Sequence, residues 1–213
     1  MTEILHLRAS PRGERSWSRQ VGDKLIARLA ALPGAHVTTR DFAAEPPPHP
    51  NGPFSLASLM PADQRGPAEH EALAYSETLI AELLRAEALV IDTPMNNFTV
   101  PSSLKAWIDY VVRPNRTFRQ SPAGKIGLLQ PRPVFVVVAC GGPFSGTSAA
   151  QEDHFSPYLA YVLTCIGLAP PAILRLESLN RGEASVAAAM AQADGFIASA
   201  EQRLAAGQAV GGP

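Results

Sequence analysis

Two short runs constrain this chain more than any other feature. Ala88-Leu89-Val90-Ile91 and Val134-Phe135-Val136-Val137-Val138 are apolar at every position. A strand wetted on one face alternates polar with apolar residues; a strand with no polar position must be covered on both faces, as in parallel sheets. Three further strand patterns accompany them, at Ile4–Leu7, His36–Arg40 and Ile173–Leu176. Between them lie helical patterns with apolar residues three and four apart. These comprise Val21, Leu25, Ile26, Leu29 and Leu32; Leu73, Leu79, Ile80, Leu83 and Leu84; Leu104, Trp107, Ile108 and Val111; and Tyr158, Leu159, Val162, Leu163 and Ile166. An alanine-rich stretch from Glu183 to about Ala205 supplies a last helix. Alternating strands and helices predict an α/β chain with a doubly wound, five-stranded parallel sheet and helices on both faces. A single domain over residues 1–213 follows, with a flexible Gly-rich tail from about 207.

Two segments interrupt this rhythm. Residues 43–67 hold seven prolines, which predicts no regular core element there but an excursion that walls a pocket or reaches a partner subunit. Residues 114–133 form a second irregular excursion. The net charge of −1 leaves no electropositive face for nucleic acid. No apolar run reaches the about 18–20 residues of a membrane span, and the amino terminus lacks a secretory pattern. Two cysteines without CxxC spacing and five scattered histidines predict neither a disulfide framework nor a metal site, and fit a cytoplasmic protein. Cys165 is expected in the core of its helix.

In open α/β sheets, ligands bind beyond the carboxyl ends of the strands. Three loops there have unusual composition. Ser10-Pro11-Arg12-Gly13-Glu14-Arg15-Ser16-Trp17-Ser18 places hydroxyls and arginines before a helix amino terminus. Free N–H groups and the helix dipole make that an anion site, although Ser16 or Ser18 would equally cap the helix. The loop carries neither GxGxxG nor GxxxxGK[ST]. In Pro94-Met95-Asn96-Asn97-Phe98-Thr99-Val100-Pro101, amides face a heteroaromatic ring or simply make a turn, and Phe98 offers an apolar wall or a core side chain. Ala139-Cys140-Gly141-Gly142 permits close backbone approach to a ligand or a tight turn. No base or orienting partner for Cys140 can be read, so a nucleophilic thiol is not indicated.

Taken together, these loops resemble the FMN-dependent NADH:azoreductase and NAD(P)H:quinone oxidoreductase family, of flavodoxin-like fold. Ser10 with Ser16-Trp17-Ser18 is similar to its phosphate loop, and Pro94-Met95-Asn96-Asn97-Phe98 to its P-M-Y-N-F ring loop. Leu104-Lys105-Ala106-Trp107-Ile108-Asp109, Thr117-Phe118-Arg119, Pro157-Tyr158-Leu159 and Ile166-Gly167 extend the likeness over nearly the whole chain. Asn96 departs from the family's tyrosine, and Ala139-Cys140 from its S-R. The resemblance implies sheet order 2-1-3-4-5 and FMN held by residues 10, 16–18, 95–98 and 139–142. It also implies NADH or NADPH as donor and two-step hydride transfer through flavin N5 to a quinone or azo compound. No side chain need act as a dedicated catalyst. Phe98 and Phe118 would sandwich the substrate, and a homodimer would carry each site at its interface. A flavodoxin-type electron carrier and a flavin-free regulatory homologue stay open beside this reading.

Overall fold

The computed structural model describes residues 1–210, with side chains to residue 206; the end of the tail expected to be flexible, 211–213, lies outside the described residues. The strands are β1 (Thr2–Arg8), β2 (Ala35–Asp41), β3 (Ala88–Pro94), β4 (Phe118–Ser121), β5 (Gly124–Gly127), β6 (Val134–Ala139) and β7 (Ala172–Leu176). The helices are α1 (Trp17–Ala30), α2 (Gly52–Leu59), α3 (Pro67–Arg85), α4 (Ser102–Val111), α5 (Ser156–Cys165) and α6 (Glu183–Val210). Five strands form one parallel sheet in the order β2-β1-β3-β6-β7. The expected order 2-1-3-4-5 of the strands read from sequence becomes 2-1-3-6-7 in this numbering, because β4 and β5, unassigned from sequence, pair as a separate antiparallel hairpin and enter the count.

Both all-apolar runs occupy interior strands, and burial on two faces explains their composition. Leu89, Ile91, Val134, Val136 and Val138 face one core with Leu79 and Leu83 of α3, Trp107 of α4 and Leu159 of α5. Val90, Phe135 and Val137 face the other with Val21, Leu25 and Leu29 of α1 and Ala193 and Ile197 of α6. Helix α1 docks closely on β3: a Cβ placed on Gly22 would lie 2.7 Å from Asp92 Oδ2. That contact sits above a buried pair, His6 Nε2 and Asp92 Oδ2 at 2.6 Å.

The Pro-rich excursion is not devoid of regular structure, contrary to expectation. Asn51 caps α2 by accepting the Phe54 N–H at 2.9 Å, and Pro53 sits in the first turn where its missing N–H costs nothing. Phe54 and Ala57 are buried, Phe54 against the Tyr110 ring at 4.6 Å between centroids. Leu56 and Leu59 on the same helix remain 73% and 75% exposed. Pro67 opens α3 as expected, with Glu69 accepting the Gly66 N–H. Cys165 is half-buried rather than core. No helix among the described residues is long and apolar enough to cross a membrane.

Candidate functional site

The carboxyl ends of β1, β3, β6 and β7 surround a cavity of about 270 Å³. Its wall is built from Ser10, Arg12, Ser16, Trp17, Met95, Asn96, Ala139, Cys140 and Gly141, together with Pro11, Pro94, Leu179 and Asn180. The three loops chosen from sequence therefore meet at one place.

At one end lies the loop after β1. Ser16 is the N-cap of α1: its Oγ accepts the Arg19 N–H at 3.4 Å and lies 3.1 Å from Ser18 Oγ. Ser18 is fully buried beneath the cavity wall rather than part of it. The Trp17 and Ser18 N–H groups have no hydrogen-bond partner among the described residues, and they point along the helix axis at its positive end. Ser10 Oγ, also buried, accepts the Arg12 N–H. Arg19 fastens this loop to the sheet. Its Nε donates to the Ser10 carbonyl at 2.8 Å, and its two terminal nitrogens clamp both oxygens of the Asp41 carboxylate at the end of β2. That clamp raises the Arg19 pKa and, together with the Ala43 N–H, holds the Asp41 carboxyl below its ordinary range against the opposing effect of burial.

At the other end, two loops face each other. After β3, Asn96 and Thr99 exchange both backbone hydrogen bonds and close a turn whose inner residues, Asn97 and Phe98, have φ of 45° and 74°. Left-handed conformations at two successive non-glycine residues are costly and persist only where surroundings impose them. Here they turn Phe98 outward, half-exposed at 52%, and neither it nor Asn97 joins the cavity wall. After β6, the chain is laced to the loop after β7. The carbonyls of Cys140, Gly141 and Gly142 accept N–H groups of Leu179, Asn180 and Ser178 at 3.2, 3.2 and 3.4 Å. The Gly141 and Gly142 N–H groups are left without partners among the described residues. Cys140 Sγ lies 3.8 Å from Met95 Sδ, and Gln151 Nε2 reaches both sulfurs, at 3.4 and 3.3 Å.

Gly142 sits beside the cavity, not in its wall, and Phe118 lies elsewhere, buried at the base of the β4–β5 hairpin under Lys125 Nζ. Sequence reasoning missed Leu179 and Asn180. The topology held the signal: β7 ends at the same sheet edge as the three chosen strands, so its loop belongs to the same search. Also missed was Arg19, on the first turn of α1, which no sequence motif marks.

Chemically, free N–H groups and hydroxyls at a helix amino terminus fit a phosphate dianion. A slot with sulfur and small side chains, and two free N–H groups at its rim, fits the polar edge of a flat heteroaromatic ring.

Comparison with known proteins converges on one group. Residues 2–199 match the family model for the flavodoxin-like fold. The chain is 52% identical over 206 residues to FMN-dependent NADH:quinone oxidoreductase 2 of Cupriavidus pinatubonensis, spanning 96% of this chain and all of that one. Among solved structures, an azoreductase from Bacillus anthracis superposes with a TM-score of 0.85 at 23% identity, covering 95% of this chain and 100% of the other. An FMN-dependent NADH-azoreductase from the same species, solved in complex with FMN, gives 0.80 at 19%, covering 95% and 99%. At those identities the two structures establish the fold.

Proposed function

The chain belongs to the FMN-dependent NADH:quinone oxidoreductase family, of flavodoxin-like fold, and on that premise we propose that its cavity binds FMN and passes electrons from NADH or NADPH to a quinone or azo acceptor. The observation that carries this reading is the set of donors left free at the α1 amino terminus, Trp17 N–H and Ser18 N–H beside the Ser10 and Ser16 hydroxyls. They would hold the FMN phosphate. Met95, Asn96, Ala139, Cys140 and the N–H groups of Gly141 and Gly142 would hold its ring, with Asn97 and Phe98 at the rim. A flavin held by these residues would supply the redox chemistry, two-electron transfer from a nicotinamide donor to the acceptor.

The protein's own work is to bind and orient. Arg19 and Asp41 fix the phosphate loop before any ligand arrives, so little ordering cost is left to binding. Outward-turned Phe98 offers an apolar face to a flat substrate; Phe118 could join it only if the hairpin base opened. This reading asks no side chain of the wall to act as a dedicated acid or base. Exposed Leu56, Leu59, Phe98 and Tyr161 support a homodimer whose interface completes the site, and a monomer by light scattering would count against it. Sparse cysteines support a cytoplasmic setting.

The test is an absorbance spectrum of purified protein with FMN, before and after anaerobic NADH. Bound yellow flavin that NADH bleaches and a quinone restores is the expected result. Bound flavin that NADH alone cannot reduce would favour an electron carrier, and protein that takes up no FMN would favour a flavin-free homologue.

A further inference from the structure

Gly141 has a conformation open to any L-residue, since it is absent from the glycines with positive φ. What it meets instead is a neighbouring side chain. A Cβ built there would lie 2.3 Å from Asn180 Nδ2 and 2.8 Å from Asn180 Cγ. The volume above Gly141 is filled by the Asn180 amide, which forms part of the cavity wall. Two backbone hydrogen bonds, Leu179 N–H to Cys140 and Asn180 N–H to Gly141, fix the root of that side chain. Asn180 is exposed at the cavity, and among the described residues its side-chain amide makes no hydrogen bond. An amide that rests on Gly141, lines the cavity and is not engaged by the protein is available to a ligand.

We propose that Asn180 is a ligand-contacting, specificity-determining residue of this site: its side-chain amide, seated on Gly141, hydrogen-bonds the polar edge of the flavin ring. The inference rests on the FMN-binding reading above. It gives the β6 wall a side-chain donor where Ala139 and Cys140 supply only a methyl group and a thiol occupied with Met95. A donor at that edge stabilises the electron-rich reduced ring more than the oxidised one, so Asn180 also tunes the reduction potential.

The experiment titrates apoprotein with FMN and, separately, with riboflavin, and measures the midpoint potential of the bound flavin. Wild type, Asn180→Ala and the near-isosteric Asn180→Asp are compared, with far-UV circular dichroism verifying the fold. Both variants are expected to bind FMN and riboflavin about three- to tenfold more weakly, the same factor for each ligand, and to show a lowered potential. Asn180→Ala with wild-type affinity and potential would overturn the proposal. So would a loss in Asn180→Ala that Asn180→Asp restores in full, since that would mean the side chain only fills space over Gly141. A wild-type protein that binds neither ligand would overturn the FMN reading and this inference with it, whereas the two preceding outcomes leave FMN binding intact.

Discussion

The two ends of the cavity are held in different ways. At the α1 end, side chains hold the backbone: Arg19 ties Ser10 to Asp41, and Ser16 caps the helix. At the far end, backbone mostly holds backbone: Asn96 pairs with Thr99, and residues 140–142 are laced to residues 178–180, with Glu177 adding a side-chain tie by accepting from Phe144 N–H and Ser145 Oγ. The first end is thus sensitive to single substitutions at a distance from the ligand. The second tolerates changes of side chain and loses only what that side chain itself contributed. The difference also separates ligands, since FMN spans both ends and riboflavin, lacking the phosphate, should report the second alone.

The largest break is expected from Arg19→Ala. It leaves Asp41 without its partner and frees the Ser10 loop, and should cost about 2–3 kcal/mol, the low end for a broken ion pair because Asp41 keeps some contact with water. FMN affinity should fall by about a hundredfold while riboflavin affinity moves far less. Thermal melting and the paired titrations check this; equal losses for the two ligands would erase the proposed distinction.

Ser16→Ala is the next step down. Loss of the cap should cost about 1 kcal/mol, and loss of one hydroxyl from the phosphate shell should weaken FMN by about tenfold. Riboflavin binding should not change.

Acid sharpens the same contrast. The Arg19 clamp lowers the folded-state pKa of Asp41, so its stabilisation is fully present above the ordinary aspartate value near ~4 and is lost as pH falls through the lower folded value. The gap in melting temperature between wild type and Asp41→Asn should therefore stay constant at neutral pH and close in acid. A gap that persists at the lowest accessible pH would show that the carboxylate charge is not what holds the loop.

The smallest effect is expected at Asn96. Its backbone bonds to Thr99 survive substitution, so Asn96→Tyr should change stability by no more than about 0.5 kcal/mol. An aromatic side chain at the ring end should tighten FMN and riboflavin together by a few-fold, about the value of one ring contact.

What was legible in the sequence followed the strength of the physical signal. Strands β3 and β6 could be read because burial on both faces leaves no polar residue, and the sheet placed their loops together. Helix α2 was hidden by the prolines around it, although Asn51 followed by Pro53 is itself a helix-start signature. The β4–β5 hairpin was invisible because Arg119, Gln120, Lys125 and Ile126 are exposed and carry no apolar alternation. Within the site, Ser10, Ser16 and Met95 were found because composition marks their loops. Asn180 was not, since it follows a short edge strand and its significance lies in a glycine 39 positions earlier. A relation between two distant residues leaves no periodicity to detect.

The lacing of residues 140–142 bears on how this protein can change over generations. A wall whose shape is written in peptide bonds is indifferent to most of the side chains it displays. Lineages can exchange the residues at 139 and 140 without rebuilding the enclosure, and so sample different acceptors at little risk to the fold. The position most directly coupled to another is instead Gly141, on which the side chain at 180 rests. Innovation in such a site would proceed by paired steps across that contact, with the flanking letters free to drift.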